Sequence, residues 1–400
     1  METDASEILV VFSGENPCMS MGEVEGLARF LGGPMGAPPG PFLKEDFVAS
    51  IPGVPDAHAA GAFLSQRLAL SRFVVKKWVE TDTHGLMRSA GDHVGALLDD
   101  LSCVIAEHSD VSVSSIKKRR FSVEVKKVPG GVWVDIEREA RKEFFDGLKR
   151  SLGRTLKKMG GTVDLREPEV RVVVLVGQRL YVGEVVGEVD RGSFEKRKVS
   201  NRPFFSPISI HPRYARAMLN MAAVREGDRV YDPMCGTGGV LLEGWLVGVE
   251  VWGSDCSQNM VDGTIMNLHH FLPQQVFEKA KDRVFLRDVR CPPPLDVAVR
   301  LPDVFDAVVT DPPYGRSTHV EGDPGEVLFS LFRDAAQRIK KGGRFVFILP
   351  SAPGEVEGGG GGFENHGSGV LERAGFRLLR RCVLHVHGSL SRVVYVYEKM

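Results

Sequence analysis

The run Asp232, Pro233, Met234, Cys235, Gly236, Thr237, Gly238, Gly239 stands between a strand-like stretch, Arg229 to Tyr231, and a helix-like one, Val240 to Leu246. Glycines at a strand-to-helix turn let the main chain double back sharply and approach a bound group closely. A turn of this kind belongs to a doubly wound α/β sheet, where ligands sit beyond the carboxyl ends of the strands. The run lacks G-x-G-x-x-G and does not end in Lys followed by Ser or Thr. Neither the dinucleotide fingerprint nor the phosphate loop is therefore present.

Two acids follow at informative places. The strand-like Glu250 to Gly253 ends at Asp255, at the distance where an acid reaches ribose hydroxyls in such a sheet. Val284 to Leu286 leads to Asp288, placed to accept from an adenine amine. Singly, each Asp reads as a turn residue or helix cap. A third apolar stretch, Phe305 to Thr310, then runs into Asp311, Pro312, Pro313, Tyr314, Gly315. An exocyclic amine on a base is a poor nucleophile because its lone pair is delocalised into the ring. The Asp311 carboxylate and the Pro312 carbonyl each accept one N–H, orienting the amine and spreading its developing positive charge. The prolines fix φ near roughly −65°, so the carbonyl is aimed before substrate arrives. Tyr314 supplies a stacking face. Asp and Pro are also ordinary turn residues, and DPPY alone serves equally as a turn with Tyr314 as a lid. In sequence with the glycine turn and the two acids, it points to S-adenosylmethionine and an amine acceptor.

The stretch from about Asn201 to Glu398 resembles the class I methyltransferases that modify amino nitrogens. DPMCGTGG, GSD, RDV and TDPPYG are similar to that family's cofactor loop, ribose acid, adenine acid and catalytic motif. The resemblance implies that Asp232, Pro233, Cys235, Gly236, Thr237, Gly238, Asp255 and Asp288 bind the cofactor, with Phe205 beside them in the position where the family contacts it. It implies that Asp311, Pro312, Pro313 and Tyr314 hold the amine, with direct in-line transfer and no covalent cysteine. The chain further resembles the archaeal tRNA guanosine N2-methyltransferases acting at position 10. Ser13 to Pro17, Arg202 to Pro207 with His211 and Pro212, DPPYGRST from Asp311 to Thr318, and HGSLSR from His387 to Arg392 carry that likeness. Gly388 and Ser391 depart mildly from the pattern. A base in a stem must then be extruded to reach the pocket, and the product carries one or two methyl groups.

Net charge is −1 over 400 residues, yet between Val111 and Gly160 there are 14 Lys plus Arg against 6 Asp plus Glu. Lys117, Lys118, Arg119, Arg120, Lys126 and Lys127 come first. Lys149, Arg150, Arg154, Lys157 and Lys158 follow on a helical stretch, Ala140 to Lys158, whose apolar face is Phe144, Phe145, Leu148, Leu152 and Leu156. Such cations neutralise phosphates, or form a solvated face. With strand-like runs at Phe121 to Val128, Val132 to Ile136, Val170 to Val176 and Arg179 to Val186, residues 71–189 resemble the RNA-binding THUMP domain. Thr81 to Val111 has no regular pattern. The resulting expectation is an α+β, ferredoxin-like domain over 1–70, a THUMP domain over 71–189, a linker over 190–201, and a Rossmann-like class I methyltransferase domain with a mixed sheet over 202–400. Gly358 to Gly362 reads as a tolerated surface insertion within the last, the alternative being a mobile loop near the substrate.

Other classes are disfavoured. The six cysteines, at 18, 103, 235, 256, 291 and 382, have no C-x-x-C pair and no regular spacing, so they are expected as small buried side chains and not as a zinc site or disulfide framework. His211, His385 and His387 give no metal signature. No apolar run is long enough for a transmembrane helix, and the start, with Glu2, Asp4 and Glu7, does not resemble a secretory signal. Localisation is read as cytoplasmic, with tRNA as partner and a small activating subunit left open. A DNA amino-methyltransferase shares DPPY but not a THUMP-like domain. A protein glutamine methyltransferase resembles NPPY. A tRNA-binding protein with an inactive cofactor fold is opposed by intact acids and glycines at every motif.

Overall fold

A computed structural model describes residues 5–32, 42–45, 47–82, 115–128, 138–206, 209–313, 323–351, 362–387 and 390–400. The readings at Tyr314, Cys103, Val132 to Ile136, most of the glycine run and Gly388 lie outside these residues. The chain forms two compact units. The first comprises Met1–Pro17, Leu31–Ser65 and Ser71–Val189, and the second Cys18–Phe30, Gln66–Leu70 and Asp190–Met400.

In chain order the first 189 residues give β1 (Ser6–Phe12), α1 (Pro17–Ala28), β2 (Phe42–Glu45), β3 (Val48–Val54), α2 (Ala57–Arg67), β4 (Ser71–Asp82), β5 (Arg120–Lys127), α3 (Arg138–Lys158), β6 (Thr162–Val163), β7 (Val170–Val176) and β8 (Arg179–Glu188). The eight strands form one sheet in the order β2-β3-β1-β4-β8-β7-β5-β6. Valine-rich β7 suits a buried central strand, since β-branched side chains pack well on a pleat. Apolar residues at i, i+4 spacing give α3 one inward face: Phe144, Leu148, Leu152 and Leu156 are buried with Phe121, Val170, Val172 and Val174. Each such burial is worth about 1.5–3 kcal/mol.

The expected boundary at residue 70 does not hold. β4 pairs on one side with β1, Leu9 opposite Val75 and Val10 opposite Val74, and on the other with β8, Val75 opposite Val185, so that the strands before and after residue 70 share one sheet. α1 meanwhile packs in the second unit. There Glu23 accepts N–H groups from Ala69 (3.0 Å) and Leu70 (2.9 Å) and the Asn220 amide (2.8 Å). Neither pairing partners nor buried hydrogen bonds can be read from a segment's own periodicity.

The second unit continues with α4 (Arg191–Lys196), α5 (Pro212–Met221), β9 (Arg229–Asp232), α6 (Gly239–Trp245), β10 (Glu250–Asp255), α7 (Gln258–Phe271), α8 (Gln274–Ala280), β11 (Val284–Leu286), α9 (Leu295–Ala298), β12 (Phe305–Thr310), α10 (Pro324–Arg338), β13 (Ile339–Ser351), α11 (Gly362–Arg373), β14 (Phe376–His387) and β15 (Leu390–Lys399). The expected linker contains α4, capped by the Asp190 side chain, with Phe194 buried and Arg197 Nε 2.8 Å from Glu243 Oε1. A charged composition concealed one apolar anchor. The sheet order is β11-β10-β9-β12-β13-β15-β14, parallel from β11 to β13, with β15 antiparallel to both its neighbours. This is the doubly wound sheet anticipated from the glycine turn, mixed as the methyltransferase resemblance implies. One face buries Val230, Val251 and Val309, the other Tyr231, Trp252 and Val308, as strand alternation requires.

Cysteine usage differs from expectation. Cys18 on α1 and Cys382 on β14 form a disulfide across 364 positions of sequence, a pairing that depends on α1 meeting β14 and leaves no trace in spacing. Cys235 is a buried thiol, whereas Cys256 and Cys291 are exposed. Among the described residues no helix is long and apolar enough to cross a membrane.

Candidate active site

The strand order reverses between β9 and β12, and the C-terminal ends of β9, β10 and β12 deliver Asp232, Asp255 and Asp311 to one cleft. A switch point of this kind is where a doubly wound sheet opens a crevice. The glycine turn forms its floor. Gly236 and Gly238 have φ of 52° and 78°, the left-handed region that favours glycine. A Cβ on Gly238 would also stand 2.7 Å from Thr264 Cγ2. The turn is tied down from several sides: Thr264 Oγ1 donates to Gly236 O (2.7 Å), Gly236 N to Asp255 Oδ2 (2.9 Å), and Asn267 Nδ2 to Thr237 O (2.9 Å). Asn267 also clasps Phe204 through both its amide atoms. Thr237 Oγ1 takes a hydrogen bond from Arg202 (3.2 Å) and lies 2.8 Å from Ser209 Oγ.

The cleft encloses about 690 Å³ and is lined by Asp232, Pro233, Cys235, Gly236, Thr237, Asp255, Asp288, Asp311 and Pro313. The chemistry-bearing residues singled out in the sequence thus converge, though not all as expected. Both Asp255 oxygens already accept backbone N–H groups, from Gly236 and Ser257 (3.0 Å). Asp288 is paired with Arg290, Nη2 to Oδ2 2.6 Å, which together with that residue's amide holds its carboxyl below the usual range. Phe205 is 59% exposed and outside the lining, and its neighbour Ser206 takes that place. Pro312 is buried. Ser209, Met260, Arg290 and Val327 also line the cleft, yet they sit in no motif that would have marked them, whereas Arg287 of RDV and Ser206 of the Arg202 to Pro207 stretch line it from within motifs.

Burial dominates the electrostatics. It pushes Asp232 up to about 7, with the charges of Asp311 and Asp255 adding to the effect and the Met234 amide opposing it. Asp311 is likewise pushed to about 7, against the pull of Arg392, whose Nη1 lies 3.5 Å from Oδ2. Burial and the nearby Asp255 and Asp232 raise the Cys235 thiol well above its ordinary value, so it is no thiolate nucleophile. Beneath the cleft, Arg287 donates to Tyr231 Oη (2.7 Å) and to both oxygens of Asp334 (2.7 and 3.0 Å). Tyr231 Oη meets Ser254 Oγ at 2.6 Å, and Ser254 Oγ donates to Pro233 O at 3.3 Å. This chain of buried bonds ties the acid-bearing turn to α10.

Residues 200–354 match the family described as "UPF0020: RMKL-like, methyltransferase domain". Among curated proteins, a tRNA (guanine(10)-N2)-dimethyltransferase from Methanothermobacter thermautotrophicus is 32% identical over 76% of this chain and 80% of its own length. This chain belongs to the tRNA (guanine(10)-N2)-dimethyltransferase family. A relative of the same name from Pyrococcus abyssi is 30% identical over 79% of this chain and 83% of its own. TrmN from Thermus thermophilus shares the fold, with a TM-score of 0.50 at 20% identity over 98% of this chain and all of the other.

In this family member the first unit carries the expected basic clusters, with a correction. Lys149, Arg150, Arg154, Lys157 and Lys158 are exposed on α3. Exposed Lys117 and Lys118 lie at the end of the same helix, Lys118 N donating to Gly160 O at 3.0 Å. Arg119 and Arg120 are instead engaged. Arg120 meets Asp164, Glu167 and Glu169, and Arg119 donates to the carbonyls of Ser115 and Glu169. Those acids follow 44 to 49 residues later in sequence, beyond the reach of a local charge count.

Proposed function

We propose that this chain transfers a methyl group from S-adenosylmethionine to the exocyclic N2 of guanosine in tRNA, at position 10, giving the mono- or dimethylated nucleoside. Membership of the family supports the substrate. What carries the chemistry is the placement of Asp311 and Pro313, which flank the buried Pro312 at the end of β12, in one cleft with the glycine turn after β9.

S-adenosylmethionine supplies a methyl group already activated by its sulfonium. The residues present fit that group: glycines of positive φ leave the turn open to close approach, and buried carboxylates suit a cationic ligand. Asp232, Asp255, Asp288 and the turn from Pro233 to Gly238 would hold it. Asp311 and the Pro312 carbonyl accept the two N–H bonds of the amine, localising its lone pair on nitrogen. Both acceptors are preorganised, one by its strand and one by proline, so little rearrangement accompanies reaction. Tyr314 supplies the stacking face for the extruded base. The cations of α3 and of Lys117 and Lys118 contact tRNA phosphates, and residues 71–189 act as its THUMP module.

Incubating the protein and Asp311→Ala with labelled S-adenosylmethionine and unmodified tRNA transcripts, followed by nucleoside analysis, tests this reading. N2-methylated guanosine at position 10, lost in the variant, is the expected result. Transfer to duplex DNA alone, or to no nucleic acid, would overturn it.

A further inference from the structure

Arg392 reaches Asp311 from two strands away. It stands opposite Pro350 where β15 runs antiparallel to β13, and β13 lies beside β12 with Phe347 opposite Thr310. The side chain therefore crosses the end of β13 to bring Nη1 within 3.5 Å of Asp311 Oδ2, with only 18% and 14% of the two side chains exposed. The backbone beside it is anchored: Ser391 is buried, and its Oγ lies 3.1 Å from His385 Nδ1 on β14. Other charged groups share the cleft. Asp232 and Asp255 face it from β9 and β10, and Arg287, Asp288 and Arg290 from beyond β11. Arg287 is paired with Asp334 and Arg290 with Asp288. Among the described residues, Arg392 is the cation set against Asp311.

We propose that Arg392 is a positioning residue for the transfer, favouring the ionised form of Asp311 and keeping its second oxygen aimed at the incoming amine. This rests on the reading that Asp311 accepts from the amine. A protonated carboxyl would carry a donor where two acceptors are needed. Without a nearby cation, an Asp in this enclosure keeps its proton to higher pH. A guanidinium suits the task because it stays charged, offers no acceptor of its own and binds carboxylate in a fixed plane. The role gives a function to Arg392, the last residue of HGSLSR, with Ser391 anchoring the backbone beside it.

The test is the pH dependence of kcat/KM for tRNA in wild type, Arg392→Gln, Arg392→Met and Arg392→Lys, with cofactor affinity and circular dichroism as checks on folding. In the Gln and Met variants the acidic limb should move up by about one pH unit or more, a roughly tenfold loss near neutrality that recovers in alkali. The Lys variant should keep the wild-type limb. A loss equal at every pH, with the limb unmoved, would overturn the proposal. A second readout follows Asp311 itself: the infrared difference made by Asp311→Asn, recorded against pH in wild-type and Arg392→Gln backgrounds, should show the carboxylate replacing the protonated carboxyl band at lower pH when Arg392 is present, and a crossover at the same pH in both also overturns it. Full activity in Asp311→Asn would sink the underlying reading instead, whereas an inactive Asp311→Asn with an unmoved limb in the Arg392 variants sinks this inference alone.

Discussion

Gly26 of α1 lies against the main chain of Asn220 on α5: a Cβ at position 26 would stand 1.9 Å from the Asn220 carbonyl oxygen and 2.9 Å from its carbon. Backbone cannot yield as a side-chain tip can, so Gly26→Ala should lower stability by about 3 kcal/mol. Gly153 on α3 is the control. Nothing lies within 4 Å of its would-be Cβ, so Gly153→Ala should raise stability by about 0.5–1 kcal/mol through helix propensity. Urea unfolding of the two variants decides, and a neutral Gly26→Ala would contradict the close approach of the helices.

The same helix is held covalently by Cys18 and Cys382. Peptide mapping without reductant should recover these two residues in one linked species. Cys382→Ala should cost about 2–5 kcal/mol relative to the oxidised wild type. Adding reductant to the wild type should reproduce much of that loss, while leaving Cys382→Ala unchanged. A melting temperature insensitive to reductant would deny the bond a structural role.

Asp232 gives a pH dependence with a definite sign. Its folded value, pushed by burial to about 7, exceeds the unfolded value of roughly 4. The native state therefore holds the extra proton between those limits, and the associated stability is full below the lower value and lost as pH rises through the upper. Asp232→Asn, which needs no proton, should raise the melting temperature of the ligand-free protein at pH 8 more than at pH 5. Equal shifts at both values would mean that Asp232 ionises normally.

A ligand carrying positive charge should reverse that burden. Binding S-adenosylmethionine beside Asp232 and Asp311 favours their ionised forms, so protons leave as it binds and affinity rises with pH across neutrality. Calorimetry near pH 7 in two buffers of different ionisation enthalpy should show net proton release. S-adenosylhomocysteine, lacking the sulfonium, should release fewer. Identical heats in both buffers would show that the carboxyls were already ionised.

What the sequence disclosed was whatever a short segment decides by itself. The glycine turn and the acids at positions 232, 255, 288 and 311 follow strand ends, so reading the strands was enough to bring the acids together. The apolar stripe of α3 was equally local. What stayed hidden depended on meetings of distant segments. β4 chose β8 as its neighbour, Phe194 anchored an otherwise polar stretch, and Cys18 met Cys382. Ser209 and Met260 reached the cleft from segments of ordinary composition. Arg120 shows the converse, a charge that looked free in sequence and is neutralised in space by Glu169.

That neutralisation separates two classes of cation in the first unit. Lys117, Lys118, Lys157 and Lys158 are exposed around one end of α3, where the helix C-terminus favours positive charge. Arg120 faces three carboxylates, Asp164, Glu167 and Glu169, and has little charge left to offer a phosphate. Lys157→Ala with Lys158→Ala should therefore weaken tRNA binding severalfold at low salt. It should also flatten the dependence of log K on log salt, by roughly 0.7 to 0.9 for each phosphate no longer neutralised. Arg120→Ala should leave affinity and salt slope near wild type. Fluorescence anisotropy with an unmodified tRNA transcript, at several salt concentrations, measures both. A larger effect at Arg120 than at the lysine pair would move the binding face away from the end of α3 and toward the edge formed by β5 and β6.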